Sequence, residues 1–369
     1  IGWTKARSQT GTLEISGRLG PVPDVDTLKI SAAGLSAQGN VTLHPSGALD
    51  RLQFHRLQVG NWLDVPVDLI GQGAGRPVQV VVKGGRLDLR TAELGKSKPS
   101  GVASPPMLLS LDRLQVTDKI ALTGMQGEFN VARGLDGRFT AALNGGAPVS
   151  GRVVPKDGRS AVQLTATDAG GVLRSANIAQ QVHGGALSLT LVPAGSGGAF
   201  DGHAEIKDVR IKDAPTIAAL VNAVSVVGLI NELNGDGIYF DTEADFRLSS
   251  NRVNLTQASA TGASLGISMD GVFATDTGQM ALQGVISPVY MLNGIASFLT
   301  RKGEGLLGFN YSIGGTVQNP SVSVNPLSGF VPGAMRDIFR STPRTTPTQD
   351  GGAATPAPQK PVAQRFEGR

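Results

Sequence analysis

Two glycine motifs in this sequence have the spacing of catalytic or phosphate-binding sites. Residues 262–266, GASLG, fit the G-x-S-x-G pattern, which needs a strand-to-helix turn that presents the serine beside a histidine. Ile267 and Met269 continue the alternation of a strand after the motif, so the pattern lacks the required helix. A hydrolase that uses Ser264 is therefore a hypothesis supported by the motif alone.

The second motif, residues 303–308 with the letters GEGLLG, fits G-x-G-x-x-G. This motif binds phosphate where it opens a helix, because the helix N-terminus offers free N–H groups to the anion. Here the motif leads into a predicted strand at 309–313, and the phosphate-binding interpretation fails.

Histidines and carboxylates are the remaining candidates for chemistry. The four histidines are His44, His55, His183 and His203, and they lie far apart without the spacing of metal ligands. The acidic residues at polar strand positions include Asp88, Asp112, Asp241 and Asp245, for which a solvated face is a sufficient explanation. There is no cysteine, so thiolate metal sites and disulfides are excluded. The sequence predicts no catalytic residue, metal site or cofactor, and therefore no enzyme.

Short strands are the elements that dominate the chain. It contains 50 glycines and 21 prolines in 369 residues, with 40% hydrophobic and only 5% aromatic residues. Apolar residues alternate in short bursts, such as Val78/Val80/Val82 and Leu187/Leu189/Leu191, and turn residues such as Gly84-Gly85 separate the bursts. This pattern predicts an all-β fold that is a long antiparallel meander with one apolar face.

The clearest alternation follows residue 237. One predicted strand places six residues on one side: Ile238, Phe240, Thr242, Ala244, Phe246 and Leu248. Later strands continue this side with Leu265, Ile267, Met269 and Leu282. We expect one continuous apolar face there.

One long helix is predicted, at 214–233. Asp213 is its predicted N-cap, Pro215 lies in its first turn, and Gly235 and Gly237 follow its end. The predicted apolar side comprises Ile217, Leu220, Val221, Val224, Val227 and Ile230. The charge-free run of 18 residues reaches the lower limit for a membrane span, but two asparagines, a serine and a glycine interrupt it. These interruptions favour a helix packed on a sheet. Short helices are also predicted at 290–299 and 332–339.

Charge and the chain ends indicate class and location. The net charge of +4 is spread along the chain, without the basic clusters and interleaved aromatic residues of nucleic-acid grooves, so no nucleic-acid partner is expected. Residues 341–369 are rich in proline, threonine and glycine and are predicted to be disordered. The chain begins at Ile1 without an apolar segment, and we expect a targeting or membrane segment upstream of it.

Several ordered motifs resemble the C-terminal region of AsmA-like proteins, most of all the YhdP branch. They include residues 168–174 (DAGGVLR), 182–187 (VHGGAL), 235–240 (GDGIYF), 288–293 (PVYMLN) and 324–328 (VNPLS). The resemblance covers about residues 167–339, whereas residues 1–166 share only the general pattern of short alternating strands. It implies three parts: a β-strand groove segment at 1–166, the AsmA-like region at 167–340, and the tail at 341–369.

The resemblance implies a protein of the Gram-negative envelope, located in the periplasm and anchored to the inner membrane. AsmA-like proteins are similar to TamB and to bridge-type lipid transfer proteins, in which a long curled β-sheet forms an open groove. By this resemblance the chain would carry phospholipid from the inner to the outer membrane and support outer-membrane lipid homeostasis. Its partners would be phospholipid, the two membranes and other envelope proteins.

Two hypotheses for the apolar face stay open. In the first, the face binds lipid, and the candidate groove residues are Ile238, Phe240, Phe246, Leu248, Leu265, Ile267, Met269 and Leu282, with the 214–233 helix capping the groove. In the second, the protein is a structural or assembly protein whose apolar face is filled by its own side chains or by a protein partner. Uncovered apolar strands require one of these solutions.

Overall fold

The computed structural model describes residues 8–18, 20, 22–92, 105–195, 198–223, 235–288, 308–317 and 319–330. It is 64% strand and 7% helical, and its 21 described strands belong to one large sheet in which nearly all pairings are antiparallel. The predicted all-β fold is confirmed. Among the described residues, no helix has the length and apolar composition needed to cross a bilayer.

The chain divides into two compact units. The first comprises Ile1–Ala166 and Gly171–Ile178, and the second comprises Thr167–Gly170 and Ala179–Arg369. The strands of the first unit are β1 (Gly11–Arg18), β2 (Asp24–Ala32), β3 (Leu35–Leu43), β4 (Leu49–Val59), β5 (Leu63–Ile70), β6 (Gln79–Lys83), β7 (Arg86–Asp88), β8 (Met107–Gln115), β9 (Ala121–Asn130), β10 (Asp136–Leu143), β11 (Pro148–Lys156) and β12 (Arg159–Ala166). A short helix, α1 (Ala169–Ser175), follows β12.

The second unit contains the remaining strands and a second helix. Its elements are β13 (Val182–His183), β14 (Ala186–Pro193), β15 (Phe200–Ile211), α2 (Pro215–Ala223), β16 (Ile238–Leu248), β17 (Arg252–Thr261), β18 (Leu265–Ala274), β19 (Met280–Pro288), β20 (Phe309–Gly315), β21 (Pro320–Asn325) and a 3-10 helix (Pro326–Phe330). The strand predicted at 309–313 is therefore confirmed. The helices predicted at 290–299 and 332–339, and the tail at 341–369, lie outside the described residues.

The meander is interrupted once in the first unit. Gly84-Gly85 was predicted to be a turn between two strands, but β6 and β7 both pair antiparallel with β5 and parallel with β8. Both glycines have positive φ, at 147° and 82°, so they form an irregular step between two segments that run in the same direction. The long connection from Leu89 to Pro106 allows the parallel pairing, which a tight turn cannot provide.

One face of the first unit forms its core. Cross-strand partners such as Leu57 and Val65, or Leu111 and Met125, lie on this face and are buried. At the edge strand β1, by contrast, Leu13 and Ile15 are exposed. On the other face the buried Asp68 carboxylate forms an ion pair with Lys83, at 2.6 Å between Oδ2 and Nζ.

The side chain of Asn144, whose backbone has a left-handed conformation, forms hydrogen bonds to three other residues of the first unit. Asn144, at φ 49°, begins the turn between β10 and β11. Its Oδ1 accepts a hydrogen bond from the N–H of Ala121 at 2.7 Å, and its Nδ2 donates to the carbonyls of Lys119 and Ser175 at 2.9 and 2.8 Å. Asparagine tolerates this backbone conformation better than most residues do, so one side chain satisfies both the turn and its neighbours.

A bidentate ion pair on the polar face of the first unit gives a pH-dependent prediction. Arg56 donates from Nε and Nη2 to the two Asp64 oxygens at 2.9 and 2.8 Å, and these hydrogen bonds hold the pKa of Asp64 below its usual value. Because the folded-state pKa is lowered, the pair contributes stability above the unfolded pKa of about 3.9, and this contribution is lost as the pH falls through the folded value.

We therefore expect Arg56→Gln to lower the melting temperature at pH 7 but not at a pH below the folded-state pKa of Asp64. Thermal unfolding followed by circular dichroism between pH 7 and pH 2.5 measures this difference. Arg51→Gln, an exposed arginine on the same strand, is the control and should not show a pH-dependent difference from the parent protein. A constant difference for Arg56→Gln at all pH values would contradict the prediction.

Candidate functional site: an apolar face of the second unit

The eight predicted groove residues lie on one face of the second unit. Phe246 on β16 is directly opposite Leu255 on β17, which is opposite Gly271 on β18, which is opposite Leu282 on β19. Side chains at directly opposite positions of an antiparallel sheet leave the same face. The same pairings, followed strand by strand, place all eight together: Ile238, Phe240, Phe246, Leu248, Leu265, Ile267, Met269 and Leu282. We refer to this surface as the apolar face.

The apolar face has two ends with different exposure. At one end Ile238, Phe240, Leu265 and Ile267 are 0 to 7% exposed, and we call this the closed end. At the other end Phe246, Leu248, Met269 and Leu282 are only partly buried, and we call this the open end. The face therefore changes along the strands from a buried core to a partly exposed apolar surface.

Strand irregularities keep the face apolar where the sequence alternation fails. On β15 the apolar residues Ile206 and Val209 are three positions apart, yet both lie on the apolar face, opposite Thr242 and Phe240. A bulge between them absorbs the extra residue, with Asp208 at φ 54° and its N–H donating to the Asp241 carboxylate at 3.0 Å. A second bulge on β17, between Leu255 and Ala258, has the same effect.

Aromatic rings lie over glycines on this face. Phe246 is directly opposite Gly202, and a Cβ atom on Gly202 would be 2.3 Å from Cζ of the ring, so the ring occupies the space above the glycine. Tyr311 is likewise opposite Gly284, and its hydroxyl donates to the Ser268 carbonyl at 2.8 Å. Rings placed over glycines lie close to the backbone, which flattens the face and protects the sheet hydrogen bonds.

A row of small side chains crosses the strands between the two ends. Ala204, Ala244 and Ala258 are successive cross-strand partners on β15, β16 and β17, and the row ends at the larger side chain of Met269 on β18. Toward the open end, Phe246 and Leu255 flank the row. The row is therefore a strip of three small side chains that runs perpendicular to the strands.

The opposite face of β15 and β16 is polar. Asp201 on β15 receives a hydrogen bond from Nε of Arg247 at 2.8 Å, which raises the pKa of Arg247. In the next position His203 Nδ1 lies 2.7 Å from Asp245 Oδ1. Tyr239, which precedes Phe240, also points to this face and is 56% exposed. On β15 and β16 the two faces thus differ in polarity, whereas the opposite face of β19 also contains the buried Val285.

Helix α2 is described as far as Ala223, the rest of the predicted 214–233 helix lies outside the described residues, and its start differs from the prediction. Asp213 was predicted to be the N-cap, but it has φ 51°, and the first helical bond runs from the N–H of Ala218 to the carbonyl of Ala214 at 2.9 Å. Ala214 therefore occupies the N-cap position, because Pro215 fixes the first helical turn directly after it. Among the predicted helix residues, Leu220 and Val221 are buried and Ile217 is half-buried, and α2 contacts β21. Val224, Val227 and Ile230 lie outside the described residues.

The catalytic motifs have the following structural contexts. Ser264 lies in a turn that joins β17 to β18, where the Gly262 N–H bonds the Leu265 carbonyl at 2.9 Å, so G-x-S-x-G connects two strands here. Of the second glycine motif, only Gly308 is described, and β20 follows it. Within the described ranges, no group of three or more histidine and carboxylate side chains could hold a metal ion.

Sequence reasoning missed the glycines beneath the aromatic rings. Gly202 and Gly284 read in the sequence only as breaks in the apolar pattern, because their partners Phe246 and Tyr311 are 44 and 27 positions away. The apolar face also includes Phe200 and Phe273, which were not among the candidates. A strand register is needed to find the glycines beneath the rings, whereas Phe273 continues the period of two of Leu265, Ile267 and Met269 on β18.

Comparisons with known proteins do not add to these findings. No protein-family model, no curated protein and no solved structure matches this chain.

Proposed function

We propose that the apolar face binds the acyl chains of phospholipid, and that the protein carries lipid between membranes without catalysing a reaction. The observation that carries this proposal is the open end: Phe246, Leu248, Met269 and Leu282 share one face and are only partly buried. A contiguous apolar surface of this kind in a polar solvent is typical of a binding surface for an apolar ligand.

The magnitude of the hydrophobic effect supports a shielded path. Two acyl chains contain about 30 methylenes, and exposing them to water costs on the order of 20 kcal/mol at ~0.8 kcal/mol each. A lipid that moves between two membranes therefore needs continuous apolar cover. The row of Ala204, Ala244 and Ala258 crosses β15 to β17, so an acyl chain that lies on it can pass from one of these strands to the next without entering a deep pocket.

The resemblance to AsmA-like proteins supplies the setting of the proposal. In that setting the sheet is an open groove in the periplasm of a Gram-negative cell, and the protein is anchored to the inner membrane. It would carry phospholipid toward the outer membrane and so support the lipid homeostasis of that membrane. Helix α2, through Leu220 and Val221, would then cap one end of the groove.

A structural or assembly role is the second candidate function. It is favoured by the closed end, where Phe240 and Leu265 are already buried within the protein itself. If the open end is covered by a protein partner in the same way, the face is part of an assembly core. The two candidates differ in what contacts the open end.

Photocrosslinking distinguishes these functions. We expect benzoylphenylalanine at Phe246, Leu248 or Leu282 to capture phospholipid in cells, because these side chains are accessible from the apolar side. The same probe at Glu243 or Arg247, which lie on the polar face of β16, is the matched control and should capture none. Lipid is identified by mass spectrometry of the crosslinked protein.

Each result of this experiment has a clear meaning. Lipid adducts confined to the apolar positions would support transfer. Equal lipid capture on both faces would contradict the assignment of the face. Protein adducts without lipid at the open end would replace the transfer proposal with the assembly role. Native mass spectrometry of the purified protein, with lipid extraction, measures the stoichiometry of any bound phospholipid.

A further inference from the structure

Two arginines face each other on the polar face of the first unit. Arg138 on β10 is directly opposite Arg152 on β11, so both side chains leave the same face of the sheet. Like charges at opposite positions destabilise a sheet. Glu128 is opposite Arg138 on the other side, yet neither arginine forms an ion pair within 4.0 Å with any carboxylate of the described residues. Arg152 in particular has no acidic residue opposite it on either neighbouring strand, since its partners are Arg138 and Gln163.

Hydroxyl and amide groups surround these arginines. Two residues further along β10, Thr140 is opposite Ser150, and both side chains leave the same face as the arginines. Gln163 on β12 is opposite Arg152. The side chains line a shallow concavity of about 430 Å³, and no carboxylate is among the residues that line it. The concavity thus offers donors to an anion, and Glu128, opposite Arg138, lies outside its lining.

The backbone beneath the arginines is held in place from the opposite face. The pairing of β10 with β11 is unbroken from Gly137 and Val153 to Ala142 and Pro148. Between the two rows, the buried ring of Phe139 lies over Gly151, where a Cβ atom would be 2.1 Å from the ring. The Cα positions of the two arginines are therefore set by a regular strand pair rather than by loops.

We propose that Arg138 and Arg152 bind the oxyanion of a phosphate monoester or diester. The planar fork of a guanidinium group matches phosphate oxygens in bidentate geometry, and two forks on adjacent strands can hold one phosphate from two sides. The anion would also remove the repulsion between the arginines. This inference concerns the polar face of the first unit and does not depend on the function of the apolar face. The phosphate is either free or part of a lipid headgroup.

The first test measures thermal stability of the full chain in inorganic phosphate, with chloride at equal ionic strength as reference. We expect phosphate to raise the melting temperature of the parent protein in a saturable way. Arg138→Gln and Arg152→Gln should each weaken the apparent affinity at least tenfold, as expected for the loss of one charge-assisted bidentate contact. Arg51→Gln has the same charge change away from the concavity and should respond like the parent protein.

A general stabilising effect of phosphate would appear equally in all variants, and that result would overturn the proposal. The variants need not be destabilised, because each removes a repulsive pair, so a lost response is separate from a failure to fold. Circular dichroism confirms the fold of each variant.

The second test distinguishes the two sources of phosphate. The full chain is sedimented with phosphatidylglycerol vesicles, with and without inorganic phosphate as competitor. Binding that is lost in Arg138→Gln and Arg152→Gln, but kept in Arg51→Gln, identifies a lipid headgroup. A response to inorganic phosphate without such vesicle binding identifies a free phosphate. If neither ligand distinguishes these variants from Arg51→Gln, the site is rejected.

Discussion

Replacing Phe240 by alanine is expected to lower the free energy of unfolding by about 3–5 kcal/mol, because the substitution leaves a large cavity in a packed region. Phe240 is 1% exposed at the closed end of the apolar face. Tyr239, the preceding residue on β16, points to the polar face and is 56% exposed. Tyr239→Ala should therefore cost less than about 1 kcal/mol, as exposed substitutions usually do. The two variants differ by one position along the strand and by the face that they affect.

Hydrogen exchange with mass spectrometry on peptides from β16 to β18 measures this contrast locally. A local measurement is needed because the chain has two units, and a single global transition need not report on the second one. Trp62 belongs to the first unit and no tryptophan follows it in the sequence, so tryptophan fluorescence is a poor probe of this region. Comparable loss of protection in Phe240→Ala and Tyr239→Ala would show that the face assignment on β16 is wrong.

A side chain at Gly202 is expected to displace the ring of Phe246 and to destabilise the open end. The Cβ atom of Gly202→Ala would be 2.3 Å from Cζ of that ring, so the ring must move away from the sheet. Overpacking of this kind costs roughly 1–3 kcal/mol. We also expect the displaced ring to roughen the apolar face and to reduce lipid capture by a probe at Leu248, if the proposed function holds.

A double-mutant cycle tests the contact between Gly202 and Phe246. In the Phe246→Ala background the ring is gone, so Gly202→Ala should be nearly neutral, which gives a coupling energy of at least about 1 kcal/mol. Gly314→Ala on β20 is the matched control, because a Cβ atom there meets only the Met280 carbonyl, at 4.0 Å. Additive costs for Gly202→Ala and Phe246→Ala, again measured by hydrogen exchange, would argue against the ring lying over the glycine.

The alternation of apolar residues predicted the strands well where the register is regular. On β16 the residues Phe240, Thr242, Ala244, Phe246 and Leu248 alternate without interruption, and all of them lie on the apolar face. A strand repeats every two residues, so a single sequence is sufficient to assign its two sides. The period of two thus assigned the sides within each strand, and the pairing register in the structure places the candidates of β16, β18 and β19 on one face.

Helix α1, by contrast, could not be predicted from its local sequence. Residues 169–175 contain two adjacent glycines, and their sequence does not read as a helix. The N–H groups of Ala169 and Gly170 bond the carbonyls of Gly185 and Gly184 at 2.7 and 2.8 Å. A Cβ atom on Gly170 would be 2.5 Å from the Val182 carbonyl, so this close approach requires glycine. These contacts come from residues distant in sequence, and local propensity does not contain them.

The sequence by itself determined the all-β class, the polar and apolar side of each regular strand, and the types of residue available for chemistry, because these depend on composition and on a local period of two. The tertiary structure decided the pairing partners, the bulge at Asp208, the step at Gly84-Gly85 and the rings above Gly202 and Gly284. It also decided which part of the apolar face is filled and which is open. These features depend on contacts between residues far apart in the chain, whose register a local pattern does not encode.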